Sequence, residues 1–539
     1  MRMRSLLAGL LLGLAATPLA ADTYPRQPGL DALHYAFTLT LAGDSAAIAA
    51  EAQVTLRLMD AAVREVTLDL VAAADGTGMT VASVTAGGRP IAFTHADDRL
   101  RLPLPPGLAR GGQVTYTIRY GGVPREGLRV HTNLHGARVV FSENWPHRAR
   151  HWLPMIDHPY DKATGEFLVT APASYQVISN GRLIETRDLP EGRRLTHWRQ
   201  SAPIPSWLYA LAAAPFSVHH AGDVHGIPLQ TWVFPEDRDT GRALFEETTR
   251  RAMAFFIERI GPYPYEKLAN IQATGMGGGV EYASAIFYGE KGVAAGTGPV
   301  VHEVAHQWWG NAVTEDDWDD VWLSEGFATY FTLLYTEHVE GRDAFVDGLR
   351  RSRATVLQTE LKLPGTPIVH RNLDDMTRVL NALVYQKGAW VLHMLRAEVG
   401  TTAFWEGMRE WYARYRVRNA STDDLRRVME GVSGRDLTPF FAQWLTRSGV
   451  PRLEGQWRYD AATRQVTVTV RQTQEAEAYQ LPIEIGLGMA GQDVPRLERV
   501  ALTGREATFT LASDTEPQAV TLDPDTWLLF DPGPFTREP

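Results

Sequence analysis

The chain has no cysteine. This excludes disulfides, thiol catalysis and cysteine-ligated zinc, and leaves no acceptor for a lipid anchor behind a leader peptide. Long apolar runs are also missing. Past the first two dozen residues nothing approaches the roughly 18 consecutive apolar residues that a membrane-spanning helix needs. No basic cluster is long enough to neutralise a nucleic-acid backbone, and the net charge is −10, so no nucleic-acid partner is expected. Internal repeats and low-complexity segments are absent as well.

What is present describes a large globular protein. A chain of 539 residues exceeds what one core can support, so about three domains are expected. Apolar residues make up 44% and charged residues 22%, the proportions of an ordinary water-exposed protein. Fifteen tryptophans suit large cores or an aromatic-lined cleft. Residues 1–21 read as a secretory signal. Arg2 and Arg4 lead, residues 6–16 are apolar, and the small pair Ala20 and Ala21 closes the segment, with cleavage expected after Ala21. The expectation is a soluble chain, exported across the inner membrane to the periplasm or beyond, with no stable membrane anchor.

One short motif carries the chemistry. His302-Glu303-Val304-Ala305-His306 is followed, after eighteen intervening residues, by Glu325. Positions four apart share a helix face, so His302 and His306 can grip one ion from one side. With His at 16 of 539 residues, such a pentad arises by chance about 0.03 times in a chain this long. Pro299 stands where a helix starts and Gly310 where one stops, while Val301, Val304, Ala305 and Trp308 give the segment an apolar surface. Glu325 opens a second helical pattern with Leu323, Phe327, Phe331 and Leu334. Folded back, its carboxylate completes a ligand set of two His and one Glu. One tetrahedral position of Zn²⁺ stays free for water, the arrangement of a catalytic site, with one ion expected per chain. Glu303 lies beside that water and can take its proton. A two-His-one-carboxylate set also suits non-haem Fe(II), but that chemistry does not require an acid next to the first histidine.

The stretch from Val301 to Asn311, together with Trp322-Leu323-Ser324-Glu325-Gly326-Phe327-Ala328, resembles the aminopeptidase N family of gluzincin metallopeptidases, which includes leukotriene hydrolase. Gly277-Gly278-Gly279-Val280-Glu281-Tyr282 resembles that family's substrate strand, and Tyr385-Gln386-Lys387-Gly388-Ala389 the segment bearing its catalytic tyrosine. Residues 152–159 with Lys162-Ala163 resemble a further signature in the domain before it. The order and separation of these motifs agree with the family, and weaker similarity runs from about His34 to about Pro451.

Strand and helix patterns divide the chain. Residues 22–216 alternate like strands: Tyr35, Phe37, Leu39 and Leu41 in one run, Val54, Leu56 and Leu58 in another. Residues 217–449 turn helical, with helices expected over 244–260 and 383–399, a start near Thr422 and a short helix at 439–445. From residue 450 to 539 alternation returns at Val466, Val468 and Val470 and at Ile483, Ile485 and Leu487. The fold class is therefore multidomain α+β. The resemblance implies an N-terminal β-saddle, a thermolysin-like α/β catalytic domain and a small C-terminal β-sandwich. Larger family members add a helical domain that closes over the active site; nothing in this sequence provides it, and a more open cleft is expected.

The resemblance also assigns roles. Tyr385 would donate to the oxyanion. Glu281 would bind the α-ammonium of a peptide with a free N-terminus by a charge-assisted hydrogen bond, and Gly278 and Gly279 would let substrate lie along the strand. Three positions depart from the family pattern: Val280 and Tyr282 flank Glu281 in place of Met and Asn, Ser324 replaces Asn before the ligand Glu325, and Glu143 or Asn144 is the nearest substitute for a second amine contact in the saddle. A zinc aminopeptidase is the reading. The alternatives are a zinc endopeptidase or epoxide hydrolase on the same scaffold, or a binding protein with a retired site. The sequence leaves oligomeric state and residue preference open.

Overall fold

The computed structural model describes residues 22–370 and 376–538; the leader read in residues 1–21 lies outside them. The period-2 patterns fold as expected. Tyr35, Phe37, Leu39 and Leu41 on strand Leu30–Leu41 are buried, as are Val54, Leu56 and Leu58 on Ile48–Leu58. These two strands pair antiparallel, and Leu30–Leu41 also runs parallel to Ala163–Pro172, at the centre of an eight-stranded sheet. A four-stranded sheet formed by Gln176–Ser179, Leu211–Ala214, Arg138–Ser142 and Leu128–Thr132 completes the saddle.

The saddle grips the next domain through backbone carbonyls and two carboxylates. Buried Lys162 donates to the carbonyls of Asn311 (3.2 Å), Ala312 (3.0 Å) and Arg418 (3.0 Å). Asn180 donates to Ala283 at 2.7 Å, and Arg26 pairs with Asp316 at 3.0 Å and with Asp317 at 2.5 Å. All of these partners but Arg418 lie in or next to the segments that carry the sequence motifs, and Arg418 is on a strand paired with Val313–Glu315.

The catalytic domain is a five-stranded sheet under helices. Its strand order is Ser217–Val224, Ile227–Val233, Leu268–Ala273, Ala285–Gly289 and, antiparallel at the edge, Gly279–Val280. Helix α1, Arg238–Arg259, starts six residues before the expected residue 244. Gly241 had obscured that start, yet it is buried: a Cβ there would strike Val233, so the missing side chain lets the helix close on the sheet. Helix α2 is only Val300–His306, and the chain turns before Gly310, which has a left-handed φ of 93°. Helices α3 (Trp322–Glu340) and α4 (Arg342–Lys362) follow. The helix expected over 383–399 divides into a π-helical turn, Leu383–Lys387, and helix α5, Gly388–Val399. Thr422–Ser433 carries a capping box between Ser421 and Asp424.

After residue 450 two facing sheets, of four and three strands, bury Val466, Val468, Val470, Ile483, Ile485 and Leu487 between them. This sandwich docks on α4 and α5. Arg353 reaches the carbonyl of Leu528 at 3.1 Å, and His393 contacts the carbonyl of Thr526 at 2.9 Å. Among the described residues no helix is long and apolar enough to cross a membrane.

One close contact fixes the catalytic helices. A Cβ on Gly326 of α3 would lie 3.0 Å from backbone atoms of Gly388, and a Cβ on Gly388 would lie 3.1 Å from the Cα of Gly326. Glu325 precedes one glycine and Tyr385 stands three residues before the other, so this backbone approach sets their separation. Gly388→Ala must push α3 and α5 apart at a cost of about 1–3 kcal/mol. A thermal melt should show the drop, accompanied by a loss of turnover larger than the loss of folded protein; unchanged melting and turnover would refute the contact.

Candidate metal centre

The short helix α2 and the first turn of α3 bring three donors together. His302 Nε2 and His306 Nε2 are 3.0 Å apart, and Glu325 Oε2 lies 3.3 Å and 3.2 Å from them. No other group of three or more His, Cys, Asp or Glu among the described residues is arranged to hold a metal. Three vertices of a tetrahedron around an ion with ligand distances of about 2.0–2.1 Å lie roughly 3.3 Å from one another, so the spacing fits zinc. Glu325 Oε2 is buried and has no hydrogen-bond donor, as expected of an oxygen meant for a cation. Its other oxygen, Oε1, accepts the Tyr385 hydroxyl at 2.7 Å. The Tyr385 ring stacks on His302 with centroids 6.1 Å apart.

The ring of His306 is held from behind. With Nε2 turned to the metal, Nδ1 carries the proton and donates to the Trp309 carbonyl at 3.1 Å and to the Ser324 hydroxyl at 3.2 Å. Gly310 makes room for that hydroxyl, since a Cβ there would collide with Ser324 Oγ. Serine in place of the family's asparagine thus still supports a ligand.

The remaining predicted residues line the same cleft of about 640 Å³. Glu303 is buried against the edge strand. A Cβ on Gly279 would fall on the Glu303 carboxylate, so glycine at 279 is what admits that carboxylate, and Glu303 Oε2 has no donor. Gly278, with φ of 69°, also lines the cleft. Glu281 is 7% exposed. Its backbone carbonyl accepts from Gln307 at 3.0 Å and from Asn311 at 2.5 Å, so the segment just after the motif helix anchors this residue. Tyr282 points away and buries its ring against Phe287, while its hydroxyl accepts from the Asn144 amide at 3.0 Å. Asn144 is fully used: its side chain donates to Tyr209 at 2.6 Å and accepts from Trp152 at 2.9 Å. Glu143 is paired with Arg148. Neither presents a free group for a second amine contact.

Electrostatically the site is an anionic hole. Burial, then the neighbouring Glu281 carboxylate, pushes the Glu303 carboxyl well above its ordinary value. Burial, and then Glu325, raises Glu281 despite an opposing effect from His306. Burial lowers His302. For His306 burial acts downward, but Glu281 and Glu325 outweigh it and bring the imidazole up to about 10. A cation among these groups is favoured by the same field. One contributor escaped the sequence reading. Glu315, on strand Val313–Glu315, is buried with both oxygens lacking donors and is pushed up to about 8 by burial. It faces Lys162, which burial brings down to about 7. Only its place after the motif in the chain hinted at it.

Removing the Ser324 hydroxyl leaves His306 with a single acceptor. Ser324→Ala should weaken zinc binding about tenfold, the lower end for a residue that supports a ligand, because Trp309 remains. Competition with a chromogenic chelator measures this; unaltered affinity would show that the hydroxyl does not orient the ring.

Comparison with known proteins agrees with this geometry. Residues 31–208 match the Peptidase M1 N-terminal domain and residues 247–444 the Peptidase family M1 domain. The chain is 28% identical over 334 residues to glutamyl aminopeptidase of Bitis rhinoceros, which covers 59% of this chain and 35% of that protein. It is 28% identical over 454 residues to aminopeptidase N of Streptomyces lividans, covering 78% of this chain and 50% of that one. It therefore spans about a third to a half of the length of these curated relatives. A crystal structure of an M1 zinc metallopeptidase from Deinococcus radiodurans superposes with a TM-score of 0.67 at 26% identity, over 77% of this chain and 93% of that one. On the matched domains and the three-donor site together, the chain belongs to the M1 family of zinc metallopeptidases.

Proposed function

We propose that this protein is an aminopeptidase that removes single residues from the free N-terminus of peptides. The observation that supports it best is the position of Glu281: a buried carboxylate opening on the same cleft as the ligand triad and Glu303. A free ammonium brings the countercharge that a blocked N-terminus lacks.

Zinc, when bound, supplies Lewis-acid polarisation of the scissile carbonyl and acidifies a water molecule. The chain's own groups do the rest. Glu281 pairs with the ammonium and sets the distance from the N-terminus to the scissile bond. Glu303, pressed into the space left by Gly279, accepts the proton of the attacking water and passes it to the departing amine. Tyr385, at the rim of the triad, turns its hydroxyl from Glu325 to the developing oxyanion. The names of the relatives, aminopeptidase N and glutamyl aminopeptidase, support the same class of reaction. The leader read in residues 1–21 supports export to a compartment where peptides arrive from outside, and N-terminal sequencing of the mature protein should begin at Asp22.

Glu303→Gln should lower kcat by at least about a thousandfold while zinc content stays at one per chain. Tyr385→Phe should lower kcat by about a hundredfold or more, with KM nearly unchanged. The wild type should cleave free-amine peptides and leave N-acetylated ones intact. Equal cleavage of both would replace this reading with an endopeptidase, and full activity in Glu303→Gln would remove the mechanism.

A further inference from the structure

The cleft continues past the metal ligands to a cation with no use in the chemistry above. Among the described residues that line it, Arg351 is the single lysine or arginine. It lies on the face of α4 formed by Gly348, Arg351, Ser352 and Thr355, which are three or four residues apart and all border the cleft. Its guanidinium folds back along the helix. Nη2 lies 3.9 Å from the point where a Cβ on Gly348 would stand, beside the Leu333 side chain of α3. Its neighbours in sequence are committed elsewhere: Arg350 to Asp347 at 3.5 Å and Arg353 to Asp523 at 3.7 Å. Among the described residues no ion pair or hydrogen bond engages the Arg351 guanidinium.

Its position relative to Glu281 follows from the helices. Gln307 and Asn311, which hold Glu281, come after the C-terminal end of α2. Ser324, at the start of α3, touches His306, the last residue of α2. Glu281 thus lies at the end of the cleft where α2 finishes and α3 begins. Thr329, Thr332, Leu333 and Arg351 line the other end, along α3 beyond Glu325. Leu333 is eight residues past Glu325, about 12 Å along the helix axis. The ligand triad stands between a fixed anion and a cation that has no partner among the described residues.

We propose that Arg351 is a specificity residue that binds a carboxylate on the leaving-group side of the scissile bond, namely the free C-terminus of a short peptide. The inference rests on the aminopeptidase reading and deepens it. An ammonium on Glu281 directs the chain past the metal toward α4. An extended residue advances about 3.4 Å, so each residue of a short peptide carries its carboxylate that much further past the triad toward Arg351. A guanidinium offers it two parallel donors. The anionic centre rejects a carboxylate placed anywhere else in the cleft, which fixes the direction of binding.

The test compares kcat/KM for Leu-Gly-Gly and Leu-Gly-Gly-amide on the zinc-loaded full chain. The free acid should be favoured by about 10-fold to 100-fold in the wild type, as expected for a hydrogen-bonded charge pair, with the difference in KM. In Arg351→Gln the acid-to-amide ratio should collapse toward one, and in Arg351→Glu it should invert. Each variant serves as its own control, since the amide is cleaved by the same molecules. A second pair, Leu-Glu-amide against Leu-Gln-amide, tests whether an acidic side chain can supply the carboxylate; a preference lost in Arg351→Gln there but absent for the C-terminal pair would overturn the C-terminal assignment. A wild type that cleaves acid and amide equally, or a ratio that survives Arg351→Gln, overturns the proposal and leaves the aminopeptidase reading standing. A wild type that cleaves no free-amine peptide overturns both.

Discussion

Three carboxylates, those of Glu281, Glu303 and Glu325, are buried around two imidazoles within one cleft. Like charges removed from water and crowded together are unfavourable by several kcal/mol unless something balances them. A divalent ion at the triad and an ammonium beside Glu281 would do so together. On the proposed reading, the same requirement selects the cofactor and the substrate end group. The protein holds these side chains in place before either partner arrives, which is the form of preorganisation that catalysis of acyl transfer uses.

The scaffold supports that arrangement with small residues and backbone acceptors. Gly279 admits the Glu303 carboxylate, Gly310 admits the Ser324 hydroxyl, and the Gly326–Gly388 contact brings Tyr385 to Glu325. The saddle contributes at one remove. Lys162 gathers three carbonyls around the loop after the motif helix, and Arg26 ties down Asp316 and Asp317 between the second histidine and the third ligand. Shape at the metal is thus fixed partly by a domain that offers no ligand.

The ligand set was legible because a helix repeat converts spacing directly into direction: His302 and His306 had to share a face, and Glu325 had only to return. The strands showed equally well, since alternation of Val466, Val468 and Val470 has one reading. Other features were hidden for physical reasons. Gly241 suppressed the start of α1, because propensity cannot see that its bare backbone packs on Val233. The π-helical turn at Leu383–Lys387 looked like the first turn of an ordinary helix, since the two differ in hydrogen-bond register and not in composition. Glu315 and Arg351 belong to no motif; only three-dimensional packing places one beside Lys162 and the other at the end of the cleft. Asn144 shows the opposite case, a polar residue well placed in sequence whose amide is spent on Tyr209 and Trp152.

X-ray absorption at the zinc edge of the purified protein probes the metal centre most directly. The structure leads to one zinc per chain, with two imidazole nitrogens and carboxylate or solvent oxygen at about 2.0–2.1 Å, and to loss of the bound ion in Glu325→Ala. A shell without two imidazoles, or zinc retained unchanged in that variant, would contradict it.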